Sequence, residues 1–162
     1  MGHINEGYSS FGFFDALPNI PVLAATTGRT VDMLGYKTVA LVVNAGRCST
    51  GVIATSDFKL ILQHGTASAA GVDQWSLVPG SQLLHSVYGG YDSTAETGLF
   101  GYITNSMYNE SDALVAAVGY KQDTTHRYIR LYVSVTGTNS LVAIAGTFIL
   151  GNPHTWPIND AI

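Results

Sequence analysis

The sequence predicts an all-β protein. The expected architecture is an antiparallel β-sandwich, jelly-roll-like, of about eight strands with extended N- and C-terminal arms. Three observations predict it. Residues 127–136 alternate strictly, with Ile129, Leu131, Val133 and Val135 on one face and Tyr128, Arg130, Tyr132, Ser134 and Thr136 on the other; that is the period of a strand with one buried face. Apolar runs of strand length recur along the chain, parted by turn residues roughly every 8–12 positions. No segment carries a long amphipathic helical pattern.

Residues 1–35 read as an irregular arm, because Gly2, Gly7, Gly12, Pro18 and Pro21 interrupt regular structure. The arm nevertheless carries Tyr8, Phe11, Phe13, Phe14, Leu17, Ile20, Val22 and Leu23. A disordered tail is poor in aromatics, so this one should lie on something: the edge of its own sandwich or a neighbouring molecule. Residues 30–34 suggest a short strand.

The sandwich is expected over 36–150. Residues 38–44 form a β-branched run and 57–63 alternate, with Phe58, Leu60 and Leu62 inward and Lys59 and Gln63 outward. Residues 73–78, 99–104 and 114–120 read as further strands; 82–91 fit a strand or a helical turn. The segments 45–51, 64–71, 92–97, 105–112 and 121–126 read as loops. Residues 127–150 read as a hairpin with its turn at Gly137, Thr138, Asn139 and Ser140. Its second arm is apolar on both sides, Val142, Ile144, Phe148 and Leu150 against Leu141, Ala143, Ala145 and Ile149. Such a strand should be covered twice, by a second sheet and by another subunit or another part of the chain. Residues 151–162, with Pro153 and Pro157, read as a closing arm on an edge or surface path.

The 162 residues are enough for one domain with a core. The chain is 46% hydrophobic and only 11% charged, against roughly 25% charged in an average soluble domain. That suits a β-protein that hides surface against partners; a compact domain with a neutral surface is the plainer alternative. Net charge is −4, and the basic residues Arg29, Lys37, Arg47, Lys59, Lys121, Arg127 and Arg130 are scattered. No cluster could neutralise a row of phosphates, so no nucleic-acid partner is expected. No apolar run approaches the roughly 18 residues of a membrane span, and the opening residues lack a basic segment followed by an apolar one. Synthesis in a cytoplasm is expected. The single cysteine, Cys48, excludes an intrachain disulfide and reads as a structural thiol.

Chemistry-bearing patterns are absent. His3, His64, His85, His126 and His154 form no metal-binding spacing. There is no nucleophile elbow and no phosphate-cradling glycine loop. Asp73, Asp92, Glu96, Glu110, Asp112 and Asp123 read as loop carboxylates. No catalytic residue, cofactor or metal is expected.

Three ordered groups of phrases carry a family resemblance. The first is Tyr36-Lys37-Thr38-Val39 running into Val42-Val43-Asn44-Ala45-Gly46. The second is Phe58-Lys59-Leu60, Gln63-His64-Gly65, Asp73 and Trp75-Ser76-Leu77-Val78. The third is Val118-Gly119-Tyr120-Lys121, Arg127-Tyr128-Ile129-Arg130-Leu131, Val135-Thr136-Gly137 and Ile149-Leu150-Gly151-Asn152-Pro153. Together, over about residues 30–158, they resemble a family of small tailed-bacteriophage virion proteins that includes jelly-roll cement and decoration proteins of the capsid. Residues before 30 have no counterpart among these phrases, and 82–97 is longer and richer in Gly and Tyr. The resemblance implies a non-enzymatic protein on the capsid exterior, made in the bacterial cytoplasm, that bridges major capsid proteins and forms a dimer or trimer of itself. The expected contact residues are Tyr8, Phe11, Phe13 and Phe14 in the opening arm and His154, Trp156 and Ile158 in the closing arm. The alternative is a tail or head-fibre module that binds a receptor or carbohydrate through Tyr88, Tyr91 and Trp156. A metal-binding cupin-like enzyme using the scattered histidines is a third reading.

Overall fold

The computed structural model describes residues 11–48, 57–67, 74–86, 98–103, 114–137 and 142–153. Eleven strands run through them: β1 (Gly12–Val22), β2 (Thr26–Thr27), β3 (Val31–Asp32), β4 (Tyr36–Cys48), β5 (Asp57–Gly65), β6 (Trp75–Leu77), β7 (Leu83–Ser86), β8 (Leu99–Ile103), β9 (Leu114–Lys121), β10 (Tyr128–Thr136) and β11 (Val142–Pro153). One sheet has the order β1-β11-β4-β9-β7 and the other β2-β10-β5-β6, with β3 also on β10 and β8 also on β5. Every pairing is antiparallel.

The eleven segments reduce to eight strands and one addition. β2 and β3 pair successive stretches of β10 and act as one broken strand; β6 and β8 do the same along β5. The chain is then a ladder of four antiparallel pairs: β1 with β11, β2/β3 with β10, β4 with β9, and β5 with β6/β8. It is rolled up so that β11 meets β4 and β10 meets β5. That is a jelly roll, with β7 added beside β9.

Alternation puts the core between the sheets. Val39, Leu41, Val43 and Ala45 of β4, Ala116, Val118 and Tyr120 of β9, and Ile144, Phe148 and Leu150 of β11 face Phe58, Leu60 and Leu62 of β5 and Ile129, Leu131 and Val133 of β10. All are buried. Gly146 takes an inward position on β11, where a Cβ would lie 3.2 Å from Leu131 Cδ2 and 3.3 Å from Ala16 Cβ. A larger residue there would push the two sheets apart.

The structure corrects four readings. Residues 127–150 are not a hairpin, because β10 and β11 belong to opposite sheets. Their apolar faces meet across the core instead of lying side by side. Ala45–Cys48 is not a loop, since β4 continues through it and stays paired with β11 across a register shift. And from Gly12 onward the opening segment is not irregular but a strand, lying on the edge of its own sandwich, one of the two places expected for it. β1 pairs β11 from Gly12↔Leu150 to Val22↔Val142 and buries Ala16, Leu17 and Val22. Its prolines are tolerated because β1 is an edge strand with one neighbour. Register shifts on either side of Leu17 absorb the irregularity. At the other end β11 runs on to Pro153, opposite Tyr36, so the closing arm begins later than residue 151. Among the described residues, no helix is long and apolar enough to cross a membrane.

Phe148 is fully buried and Phe13, on the neighbouring strand, is 62% exposed. Replacing each by alanine should separate core from surface. Urea unfolding of F148A should show a loss of about 3–5 kcal/mol, and F13A a loss under about 1 kcal/mol. Similar losses for both would contradict the assignment of sides.

Candidate functional site

Three features stand out: an aromatic edge, a sheet face and a buried polar cluster. The aromatic edge is the start of β1. Phe11, Phe13 and Phe14 are all exposed. Phe11 lies over Gly151, where an added Cβ would meet its ring at 3.4 Å. Phe13 pairs Ile149 and Phe14 pairs Phe148. Consecutive residues of a strand point to opposite faces, so Phe13 belongs to the outer surface of the sheet and Phe14 to the open rim of the core. Tyr8, His154, Trp156 and Ile158 lie outside the described residues, as do Tyr88 and Tyr91. The structure therefore describes three of the seven expected contact residues, and it places those three together on one edge.

The outer face of the β1-β11-β4-β9-β7 sheet continues from that edge. One row across it reads Phe13, Ile149, Ala40, Gly119, Leu84. The next reads Asp15, Thr147, Val42, Ala117, and the third Ala145, Asn44, Val115. All these residues are exposed or half-buried. Among the residues whose side chains are described, charge on this face appears only at the margins, as Asp15 on β1, loosely paired with Arg29 at 3.9 Å, and Lys121 on β9. The other sheet differs. On its outer face Arg130 donates to Gln63 at 2.8 Å and stacks over Trp75 at 4.0 Å, and Ser134 lies opposite Lys59. Arg127 donates to Asp32 beside it, at 2.7 Å through Nε. One outer face is dressed for water and the other is not.

The polar cluster closes one end of the sandwich. His64 stands next to the last residue of β5 and is 2% exposed. Tyr120, near the end of β9, is buried beside it, with its hydroxyl 3.0 Å from His64 Nδ1. The β9–β10 connection brings His126 flat against His64, with ring centroids 3.6 Å apart and planes 12° from parallel. Asp123 Oδ2 lies 2.7 Å from His126 Nδ1, and Asp123 Oδ1 accepts from the main-chain N–H groups of Thr125 and His126. Gln82 donates to Asp123 at 3.2 Å. Burial, then the neighbouring His126, hold the His64 imidazole down at about 4. Burial, then the Asp123 charge, push the Tyr120 hydroxyl above its ordinary value. Burial opposes ionisation of Asp123, but the hydrogen bonds from His126, Thr125 and Gln82 outweigh it and hold the carboxyl far below the usual range.

Donor atoms of His64, Asp123 and His126 lie within 4.8 Å of one another. Ring-nitrogen lone pairs lie in the ring plane, however, and stacking confines those of His64 and His126 to two nearly parallel planes with centroids 3.6 Å apart. A tetrahedral ion needs convergent donors at about 2.0–2.1 Å, which this stack does not offer. The arrangement is that of a hydrogen-bonded plug that keeps one imidazole neutral inside the sandwich. Its signal was present in the sequence. Extending the alternation of Phe58, Leu60 and Leu62 by one step turns His64 inward.

No family model matches the sequence, and neither a curated protein nor a solved structure matches the chain.

Because the folded His64 titrates near 4 and the unfolded one near 6.5, the unfolded chain binds the proton first as pH falls. The contribution of neutral His64 is complete above about 6.5 and is lost toward 4. The depressed Asp123 carboxyl adds its own loss only below that window. Urea unfolding should therefore show up to about 3 kcal/mol less stability at the low end of the window than at the high end. The H64Q variant should lose most of this slope; an unchanged slope would remove His64 as its source.

Proposed function

We propose that this chain is a structural virion protein of a tailed bacteriophage. In this reading it is a capsid cement or decoration protein that binds the outer surface of the shell and bridges major capsid proteins. The observation that carries the proposal is the cluster of exposed Phe11, Phe13 and Phe14 on the edge strand of a jelly roll. Aromatics are enriched where protein surfaces meet, and edge strands are where a sandwich accepts company. The low charge of the chain and the family resemblance of its ordered phrases support the same reading. Fold alone would not, since jelly rolls also serve as lectins and cupins.

A clip of this kind needs rigidity and an adhesive edge. Rigidity comes from the continuous core between the two sheets. The edge supplies anchors: a buried aromatic at an interface commonly contributes more than 1 kcal/mol. The partners are the major capsid protein and further copies of the chain; the protein is made in the bacterial cytoplasm and ends on the particle exterior. No catalytic step and no cofactor enter this reading.

Co-sedimentation of the full chain with capsids lacking it tests the proposal. We expect saturable pelleting at a fixed ratio to the shell protein. Point variants are the right controls, because removing residues 1–20 would take most of β1 with it. F11A/F14A should weaken binding by roughly tenfold or more with the fold intact by circular dichroism. Protein that stays in the supernatant while shells pellet would overturn the decoration reading. Binding to host envelope or glycans in its place would favour a receptor-binding module.

A further inference from the structure

We propose that the outer face of the β1-β11-β4-β9-β7 sheet packs against the same face of a second copy, forming an isologous dimer. The inference rests on the assembly reading above and names the surface and the partner that would serve it.

The argument starts from the contrast between the two outer faces. A sheet in a sandwich normally hides one side and wets the other. The β10-containing sheet obeys, with Lys59, Gln63, Arg130 and Ser134 outward. The β11-containing sheet does not. Its rows carry Phe13, Ile149, Ala40, Gly119 and Leu84, then Val42 and Ala117, then Ala145 and Val115. Among the described residues, the interior of this face holds no charged side chain, and its polar members, Thr147 and Asn44, are neutral. A contiguous apolar patch of this extent marks an interaction surface.

Three features select a second copy as occupant. The first is shape. Ala40, Ala117, Ala145 and Gly119 sit in the middle of the face, so the surface has few knobs and few holes. A flat face of small residues matches its own copy and allows the two sheets to approach closely. The second is area. Four to five strands about 4.8 Å apart, each presenting about seven residues of rise about 3.4 Å, span on the order of 500 Å² per copy. Two copies together bury about 1,000 Å², the lower bound for a specific interface. The third is charge. An isologous contact sets each residue against the partner's surface in both directions, so a charged interior would repel itself. Here only the margins are charged, Asp15 on β1 and Lys121 on β9. A two-fold axis along the strands lays the β1 margin of one copy over the β9 margin of the other, so neither Asp15 nor Lys121 meets its own copy.

Of the aromatic rim, Phe13 lies within the packed face and Phe14 remains available in such a dimer. Phe14 points toward the core side of β1 and stays outside the packed faces. A dimer would then present Phe14 twice, which suits a protein that bridges neighbouring shell subunits.

Sedimentation velocity of the full chain, from low to high micromolar concentration, tests the proposal. We expect a reversible monomer–dimer equilibrium. A117E places a carboxylate in the middle of the face, on a side chain already half exposed, so the monomer should fold as before. It should shift the equilibrium toward monomer by at least about tenfold, with circular dichroism and the urea midpoint retained. A145E, on a different strand, should repeat the effect. A wild-type chain that stays monomeric throughout would overturn the proposal. So would a dimer that neither variant weakens, or a larger closed ring in place of a dimer. If the variants unfold, Ala145→Cys in the C48S background provides the readout. Its thiol should be protected from a maleimide at dimer concentrations and open on dilution; equal labelling at both concentrations would overturn the proposal. Co-sedimentation of A117E with capsids separates this claim from the functional one. Monomeric protein that still pellets leaves shell binding standing and assigns dimerisation to this face, whereas wild-type dimer that ignores shells removes only the cement reading.

Discussion

The structure depends on one strand that is apolar on both sides. β11 hydrogen-bonds to β1 along one edge and to β4 along the other, in register over most of its length. Its inward residues Val142, Ile144, Phe148 and Leu150 fill the core opposite β10. Its outward residues Ala143, Ala145, Thr147 and Ile149 form the middle of the dry face. A one-residue slip of β11 would exchange the two sets and drive Phe148 and Leu150 into water. The core therefore locks the register, and the register in turn decides which small residues the surface shows. Gly146 completes this arrangement by leaving room for Leu131 and Ala16 where a side chain would stand.

Much of this was legible in the residues. The alternation in β10 and β5 names the buried positions correctly, because period two is a direct consequence of strand geometry. The double-sided apolarity of β11 also shows in the structure, as an inward row in the core and an outward row of Ala143, Ala145 and Ile149. Sheet membership was not legible. Alternation says which way a side chain points, but a tight turn and a crossing between sheets carry the same Gly, Thr and Asn residues. That is why β10 and β11 read as a hairpin. The opening segment was expected on the sandwich edge or on a neighbour, and only its strand character was missed, for a related reason. Pro18 and Pro21 exclude a central strand but not an edge strand, and the sequence does not state which strand lies at the edge.

The polar plug shows the other limit. His64, Gln82, Tyr120, Asp123 and His126 come from three separated stretches, and no spacing rule joins them. Two of them were visible by parity: His64 continues the inward set of β5, and Tyr120 continues that of β9 after Ala116 and Val118. What parity could not supply was the partner. A buried imidazole is costly unless its polar atoms are satisfied, and here the Tyr120 hydroxyl partners Nδ1 while His126 covers the ring face. Gly12, Leu150, Val39 and Tyr120 share one row, so the plug lies at the same end of the strands as the aromatic start of β1, on the far side of the sheet.

Placing β11 between β1 and β4, with β10 across the core, is the claim on which both the dry face and the aromatic edge rest. Cross-strand nuclear Overhauser effects test it most directly. The account predicts main-chain contacts linking Ile149 to Ala40 and Phe13, and Thr147 to Val42 and Asp15, with only side-chain contacts joining β11 to β10. Main-chain contacts between β11 and β10, in the ladder a hairpin would form, would contradict it and would turn both faces of the sheet around.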